Sequence, residues 1–146
     1  MHMDRGKILV SACLCGVKCR YNGKACSCNK TEFVKWQQEG RLVSVCPEVM
    51  AGLGTPRYPM EINRGRLITQ LGEDLTDRCM AGVEATLQIA RENRVELCVL
   101  KQNSPTCGAS VIYDGTFSGR RIPGTGIAAA ALRKAGFKVI SEEELK

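Results

Sequence analysis

The sequence predicts an α/β protein built on a mostly parallel sheet, and three features predict it. Short apolar runs recur at Lys7-Ile8-Leu9-Val10, Leu42-Val43-Ser44-Val45, Leu97-Cys98-Val99-Leu100 and Phe137-Lys138-Val139-Ile140. Their length and the turn residues around them suit buried strands. Stretches with helical periodicity lie between them, and strand-helix-strand alternation implies parallel pairing through right-handed crossovers. The first three runs each lead into a loop that carries a cysteine: Cys13, Cys46 and Cys107.

The elements follow in order. Residues 7–12 read as the first strand, and residues 13–28 as a cysteine-rich loop turning at Asn22-Gly23. Asn29 and Glu32 have capping-box spacing and open a short helix to about Glu39, with Phe33 and Trp36 inward and Gly40 as its stop. Residues 41–46 form the second strand. The segment 51–57 is glycine-rich but lacks the Gly-Lys-Ser/Thr ending of a phosphate loop. A small hairpin is expected over residues 60–68, turning at Asn63-Arg64-Gly65. Thr76 is read as the N-cap of the longest helix, 77–92, with Met80, Val83, Leu87 and Ala90 as its buried stripe. The third strand spans 95–101. Tyr113-Asp114-Gly115-Thr116 reads as a turn within a hairpin excursion. A helix over 126–135, ended by Gly136, precedes the last strand. The expected architecture is one Rossmann-like domain over residues 1–146, with residues 1–6 as a disordered leader and core strands in the order 2-1-3-4.

Composition narrows the function. The chain has 146 residues, enough to bury a core without staples. Its 21 basic and 15 acidic residues give +6, a mild excess that suits an anionic ligand or RNA and equally an ordinary soluble enzyme. No apolar run approaches the roughly 18 residues of a membrane span. Nine cysteines, and no leader of signal-peptide type, point to the cytosol. There thiols are kept reduced, so metal or catalytic use outranks disulfides. The single histidine is His2, so a cysteine nucleophile has no credible histidine base.

The thiols divide by context. Cys98 lies inside an apolar strand and reads as core, and Cys79 reads as helix packing. Cys15, Cys19, Cys26 and Cys28 form a looser group without the paired Cys-x-x-Cys knuckles of a structural zinc site. Cys13, Cys46 and Cys107 are the sharper set. In an open parallel sheet, ligands sit outside the carboxyl ends of the strands. Strand order 2-1-3-4 brings these three thiols to one place. Three thiolates can hold three irons of an iron–sulfur cube and leave the fourth open. Spacing alone leaves open a cluster or a metal-free thiol site. Glu48, two residues past Cys46, and Ser104, three before Cys107, would both lie near such a cluster, where a carboxylate can serve as acid and base. Their bland readings are a helix cap and a turn. Arg20, Arg57 and Lys101 lie in the same loops, as charge balance or as surface residues. The amides at Gly124-Thr125-Gly126 are read as capping.

Several motifs now stand together: Ser-Ala-Cys13-Leu-x-Gly-x-x-Cys-Arg-Tyr-Asn-Gly, Val-Cys46-Pro-Glu48 with Gly-x-x-Thr-Pro-Arg57, Ser104-Pro-Thr-Cys107-Gly, and Tyr-Asp-Gly-Thr-Phe-Ser-Gly. In this order, over about residues 7–144, they resemble the domain-of-unknown-function family 523, the thiouracil-desulfurase-like family. The resemblance implies a 4Fe–4S cluster held by Cys13, Cys46 and Cys107, with Glu48 and Ser104 as catalytic residues. It implies a non-redox reaction in which water replaces the sulfur of a small thiolated substrate at the open iron. Cys15 departs from the family's usual apolar residue at that position.

The expectation is therefore a cytoplasmic desulfurase acting on a thiolated pyrimidine or similar small thiocarbonyl, with no membrane role. Two alternatives accompany it: a non-catalytic cysteine module binding zinc or a structural cluster, and a desulfurase of thiolated RNA, which the charge weakly permits.

Overall fold

The computed structural model describes residues 6–146. Residues 1–5, which hold His2 and most of the expected leader, lie outside the described residues. In chain order the elements are β1 (Ile8–Ser11), α1 (Thr31–Gln38), β2 (Leu42–Val45), α2 (Pro47–Met50), β3 (Met60–Asn63), β4 (Arg66–Thr69), α3 (Thr76–Glu92), β5 (Leu97–Leu100), β6 (Val111–Tyr113), β7 (Arg121–Pro123), α4 (Ile127–Lys134) and β8 (Val139–Ser141). Short 3-10 turns occupy Ala12–Cys15 and Glu142–Glu144.

Four strands form one parallel sheet in the order β2-β1-β5-β8. This is the expected order, since β5 and β8 are the third and last predicted core strands. β1 is buried along its whole length, as a central parallel strand covered on both faces must be. Its side chains alternate between two cores. Leu9 packs with Val83, Leu87 and Ala90 of α3 and Ala128, Ala129 and Leu132 of α4. Ile8 and Val10 pack with Phe33 of α1, Val99 and Leu145. Phe33 is fully buried, a contribution of roughly 2–3 kcal/mol. The register pairs Ser11 with Val45, and Val10 with both Ser44 and Val99. The carboxyl ends of β2, β1 and β5 therefore finish level and side by side.

Two antiparallel hairpins, β3–β4 and β6–β7, stand apart from this sheet. The first turns at Arg64 and Gly65, both at positive φ, the geometry that hairpin twist favours. Among the described residues no helix is long and apolar enough to cross a membrane.

The structure corrects some local expectations. The N-cap of α1 is Lys30, with no side-chain cap, and Glu32 instead accepts from the Lys146 amide at 2.8 Å. The tail thus takes the carboxylate that a capping box would use. Thr76 is the first residue of α3 rather than its cap, because its hydroxyl accepts from Leu67 N–H at 2.8 Å and ties the helix to β4. Met80 is exposed, and Cys79, 0% exposed, fills the inward position instead. Pro47–Met50, for which the sequence predicts no element, forms one helical turn. Proline at its first position has φ suited to a helix start and loses no hydrogen bond there.

Candidate active site

A cavity of about 360 Å³ opens at the carboxyl ends of β1, β2 and β5. Cys13, Cys46 and Cys107 all line it. Cys13 sits in the turn after β1, which Gly16 closes in the left-handed region at φ 92°, a conformation glycine adopts without strain. Cys46 follows β2 directly and precedes α2. Cys107 ends the loop after β5. Ser11 joins two of these strand ends, its hydroxyl accepting from Lys101 N–H at 2.8 Å.

The 104–107 loop is built from within. Ser104 Oγ accepts from the amides of Thr106 and Cys107 at 3.2 and 3.0 Å. The amides of Ile127 and Ala128, at the start of α4, bond the carbonyls of Pro105 and Thr106 at 3.0 and 2.8 Å. The helix start is therefore spent on holding this loop, as its capping reading requires. Gly126 allows the approach, because a Cβ there would stand 2.5 Å from the Thr106 carbonyl carbon.

Glu48 is 8% exposed and lines the same cavity. Arg57 donates to its Oε1 from Nε and Nη2, at 3.1 and 2.6 Å. Arg57 also donates to the carbonyls of Cys19 and Gly54, each at 3.1 Å. One guanidinium thus joins the first cysteine loop, α2 and the glycine-rich segment. On the other side Thr106 Oγ1 donates to Glu48 Oε2 at 2.9 Å, and Ser104 Oγ lies 3.1 Å from Thr106 Oγ1. Ser104 reaches Glu48 through Thr106. Lys101 also lines the cavity, but its ammonium pairs with Glu142 at 3.1 Å.

Two residues that sequence reasoning left without a role belong here. Cys19 is buried and lines the cavity. Its thiol interacts with those of Cys13 and Cys46, and the Cys13 contact is the main cause of its raised pKa. Thr106, 1% exposed, bridges the two expected catalytic residues. Its place between Ser104 and Cys107 in one short motif was the available signal. Cys15, Cys26 and Cys28 do not line the cavity. Burial raises the Cys15 pKa, with nearby Cys28 adding to it.

Burial and sulfur contacts favour the neutral thiol at Cys46 and Cys107. The Cys46 thiol is pushed up by its contact with Cys19 and then by burial. Burial pushes Cys107 up to about 12, against the hydrogen bonds of Ser11 and Thr106. All nine cysteines are free. Four soft thiols gather at one cavity, and the Glu48 carboxylate beside them is taken by Arg57, a set that fits an iron–sulfur group rather than a hard cation. Among the described residues no three His, Cys, Asp or Glu side chains are grouped for a single ion.

Residues 8–144 match the family model described as 2-thiouracil desulfurase. An uncharacterized protein of Bacillus subtilis (strain 168), YbbK, is 45% identical over 148 residues, covering 94% of this chain and 97% of its own. A solved structure described as the [4Fe-4S]-dependent thiouracil desulfidase TudS (DUF523Vcz) matches with a TM-score of 0.93 at 38% identity. That match covers 97% of this chain and 93% of that one.

Proposed function

The chain belongs to the 2-thiouracil desulfurase family, and from that premise we propose that it replaces the sulfur of a thiolated pyrimidine or similar small thiocarbonyl with oxygen from water. The reaction balances without an oxidant: thiocarbonyl plus water gives carbonyl plus hydrogen sulfide. We assign Cys13, Cys46 and Cys107 as the holders of a 4Fe–4S cluster. Bound there, the cluster supplies a Lewis-acidic, sulfur-binding iron that makes the thiocarbonyl carbon electrophilic.

The chain's own residues supply the rest. Glu48 takes the proton of the attacking water and returns one to the departing sulfur. Arg57 fixes the carboxylate through Oε1, so its orientation does not depend on solvent. Thr106 holds Oε2, and Ser104 holds the loop that carries Thr106 and Cys107. Nine free thiols suit a reducing compartment, and we place the enzyme in the cytosol.

The observation that carries this reading is the meeting of Cys13, Cys46, Cys107 and Glu48 on one cavity wall. The test is anaerobic reconstitution, then iron and sulfide counts and hydrosulfide release from 2-thiouracil. Brown protein with about four irons per chain that releases hydrosulfide supports it. Colourless protein with stoichiometric zinc and no turnover overturns it.

A further inference from the structure

The cavity has a second wall, formed by the two hairpins. Glu61 of β3 is 8% exposed and lines the cavity. Its Oε1 accepts from two amides of the β6–β7 loop, Gly115 N–H at 2.9 Å and Phe117 N–H at 3.1 Å. The loop lies close against β3, since a Cβ on Gly115 would stand 2.6 Å from the Ile62 carbonyl oxygen. Phe117 is held at φ 58°, a left-handed conformation that a bulky side chain rarely adopts without a fixing partner. It too lines the cavity. Glu61 Oε2 has no hydrogen-bond partner among the described residues. One carboxylate oxygen is therefore spent on holding an aromatic residue at the cavity, and the other is free.

Resting on the proposed desulfurase reading, we infer that Glu61 and Phe117 are the specificity-determining pair of this site. Phe117 offers its ring to one face of a flat heterocycle. Glu61 Oε2 accepts the ring N–H next to the thiocarbonyl. The substrate class is thereby a planar cyclic thioamide or thiourea with a free N–H beside the C=S carbon. Acyclic thiocarbonyls lack the extended ring face, and N-alkylated rings lack the donor. An N-methylated ring would cover this acceptor without pairing it, which makes the rejection strong.

Glu61→Gln separates the two duties of the carboxylate. Its amide oxygen keeps the two loop amides, while its NH₂ replaces the free acceptor. The measurement is calorimetric binding of uracil and 1,3-dimethyluracil to the anaerobic holoprotein, alongside kcat and KM for 2-thiouracil. The wild type is expected to prefer uracil by about tenfold or more, the size of a lost charged hydrogen bond. In Glu61→Gln that preference disappears and KM for 2-thiouracil rises by a similar factor, with a smaller change in kcat. Phe117→Ala weakens both ligands alike. Equal binding of the two uracils by the wild type overturns the inference, as does wild-type preference retained in Glu61→Gln. The first of these needs no variant to fold. Failure of the desulfurase reading looks different: no hydrosulfide from 2-thiouracil, whatever the uracil binding.

Discussion

Thr106 donates its hydroxyl proton to Glu48 across 2.9 Å, joining the loop after β5 to α2 across 58 positions of sequence. The bond spans the cavity wall between the second and third thiols, and both side chains are buried. Thr106→Val keeps the shape and removes the hydroxyl. It is expected to retain iron but lose about ten- to a hundredfold in kcat, the scale of a lost hydrogen bond to a charged group. Thr106→Ser restores most of it. Equal rates in the wild type and the valine variant would show that Thr106 only fills space.

Glu48→Gln tests the acid–base role directly. Glutamine keeps an oxygen for Arg57 and turns its NH₂ toward the Thr106 hydroxyl, which can accept from it, but it cannot take a proton from water. The variant is expected to hold its full complement of iron and to lose about 10²- to 10⁴-fold in hydrosulfide release. Iron content and hydrosulfide release, measured on the same anaerobic sample, decide it. Release at the wild-type rate removes Glu48 from the mechanism.

The thiol assignment is tested one sulfur at a time. Cys13→Ser, Cys46→Ser and Cys107→Ser are each expected to lose the cluster, seen as loss of brown absorbance and of iron. Cys98→Ala and Cys28→Ala keep it, since one is a core residue and the other lies outside the cavity. Cys19→Ser is the discriminating variant, because Cys19 lies against both Cys13 and Cys46. On the present assignment it retains iron. Loss of iron from Cys19→Ser together with retention in Cys13→Ser would exchange their roles.

Alkaline stability follows from the core thiols. Burial pushes Cys98 up to about 12 and Cys79 to about 11, against an ordinary value of 9.0. In the unfolded chain these thiols ionise near 9, while in the folded chain they stay protonated. The unfolded state therefore binds fewer protons above that value, and stability falls as pH rises from about 9 toward about 12. Cys98→Ala is expected to flatten this decline. Melting temperatures of both proteins under argon, from about pH 8 to about pH 10.5, check it. Parallel curves would mean that Cys98 does not contribute.

The sheet was legible because each core strand is a short apolar run, and the strand ends carry three of the four cavity thiols. What escaped was set by tertiary contact. Cys19 reaches the cavity in a loop whose carbonyl Arg57 holds, 38 positions away. Met80 has the right helical spacing for burial, yet the inward space at that point of α3 goes to Cys79. Thr76 and Glu32 look like capping residues, but their oxygens serve Leu67 and Lys146. Nor does local sequence relate Glu61 to Phe117, since the bond depends on how two separate hairpins lie together.

Gly82 carries the last prediction, because it governs where the second thiol sits. It lies in α3, and a Cβ there would stand 1.9 Å from the Pro47 carbonyl oxygen and 2.9 Å from its carbon. That contact is with backbone, so no side chain can turn aside to relieve it. The residue before Pro47 is Cys46 and the one after is Glu48. Gly82→Ala must therefore push α2 away from α3 and displace a proposed ligand and the proposed base together. The expected outcome is destabilisation of about 1–3 kcal/mol from overpacking, or more where the backbone cannot yield. Cluster occupancy should fall further than that loss of stability alone explains. Thermal melts and iron counts on Gly82→Ala measure both, with Gly54→Ala as a control at an open position of ordinary backbone conformation. If Gly82→Ala binds iron and turns over like the wild type, the packing of α2 on α3 does not position the site.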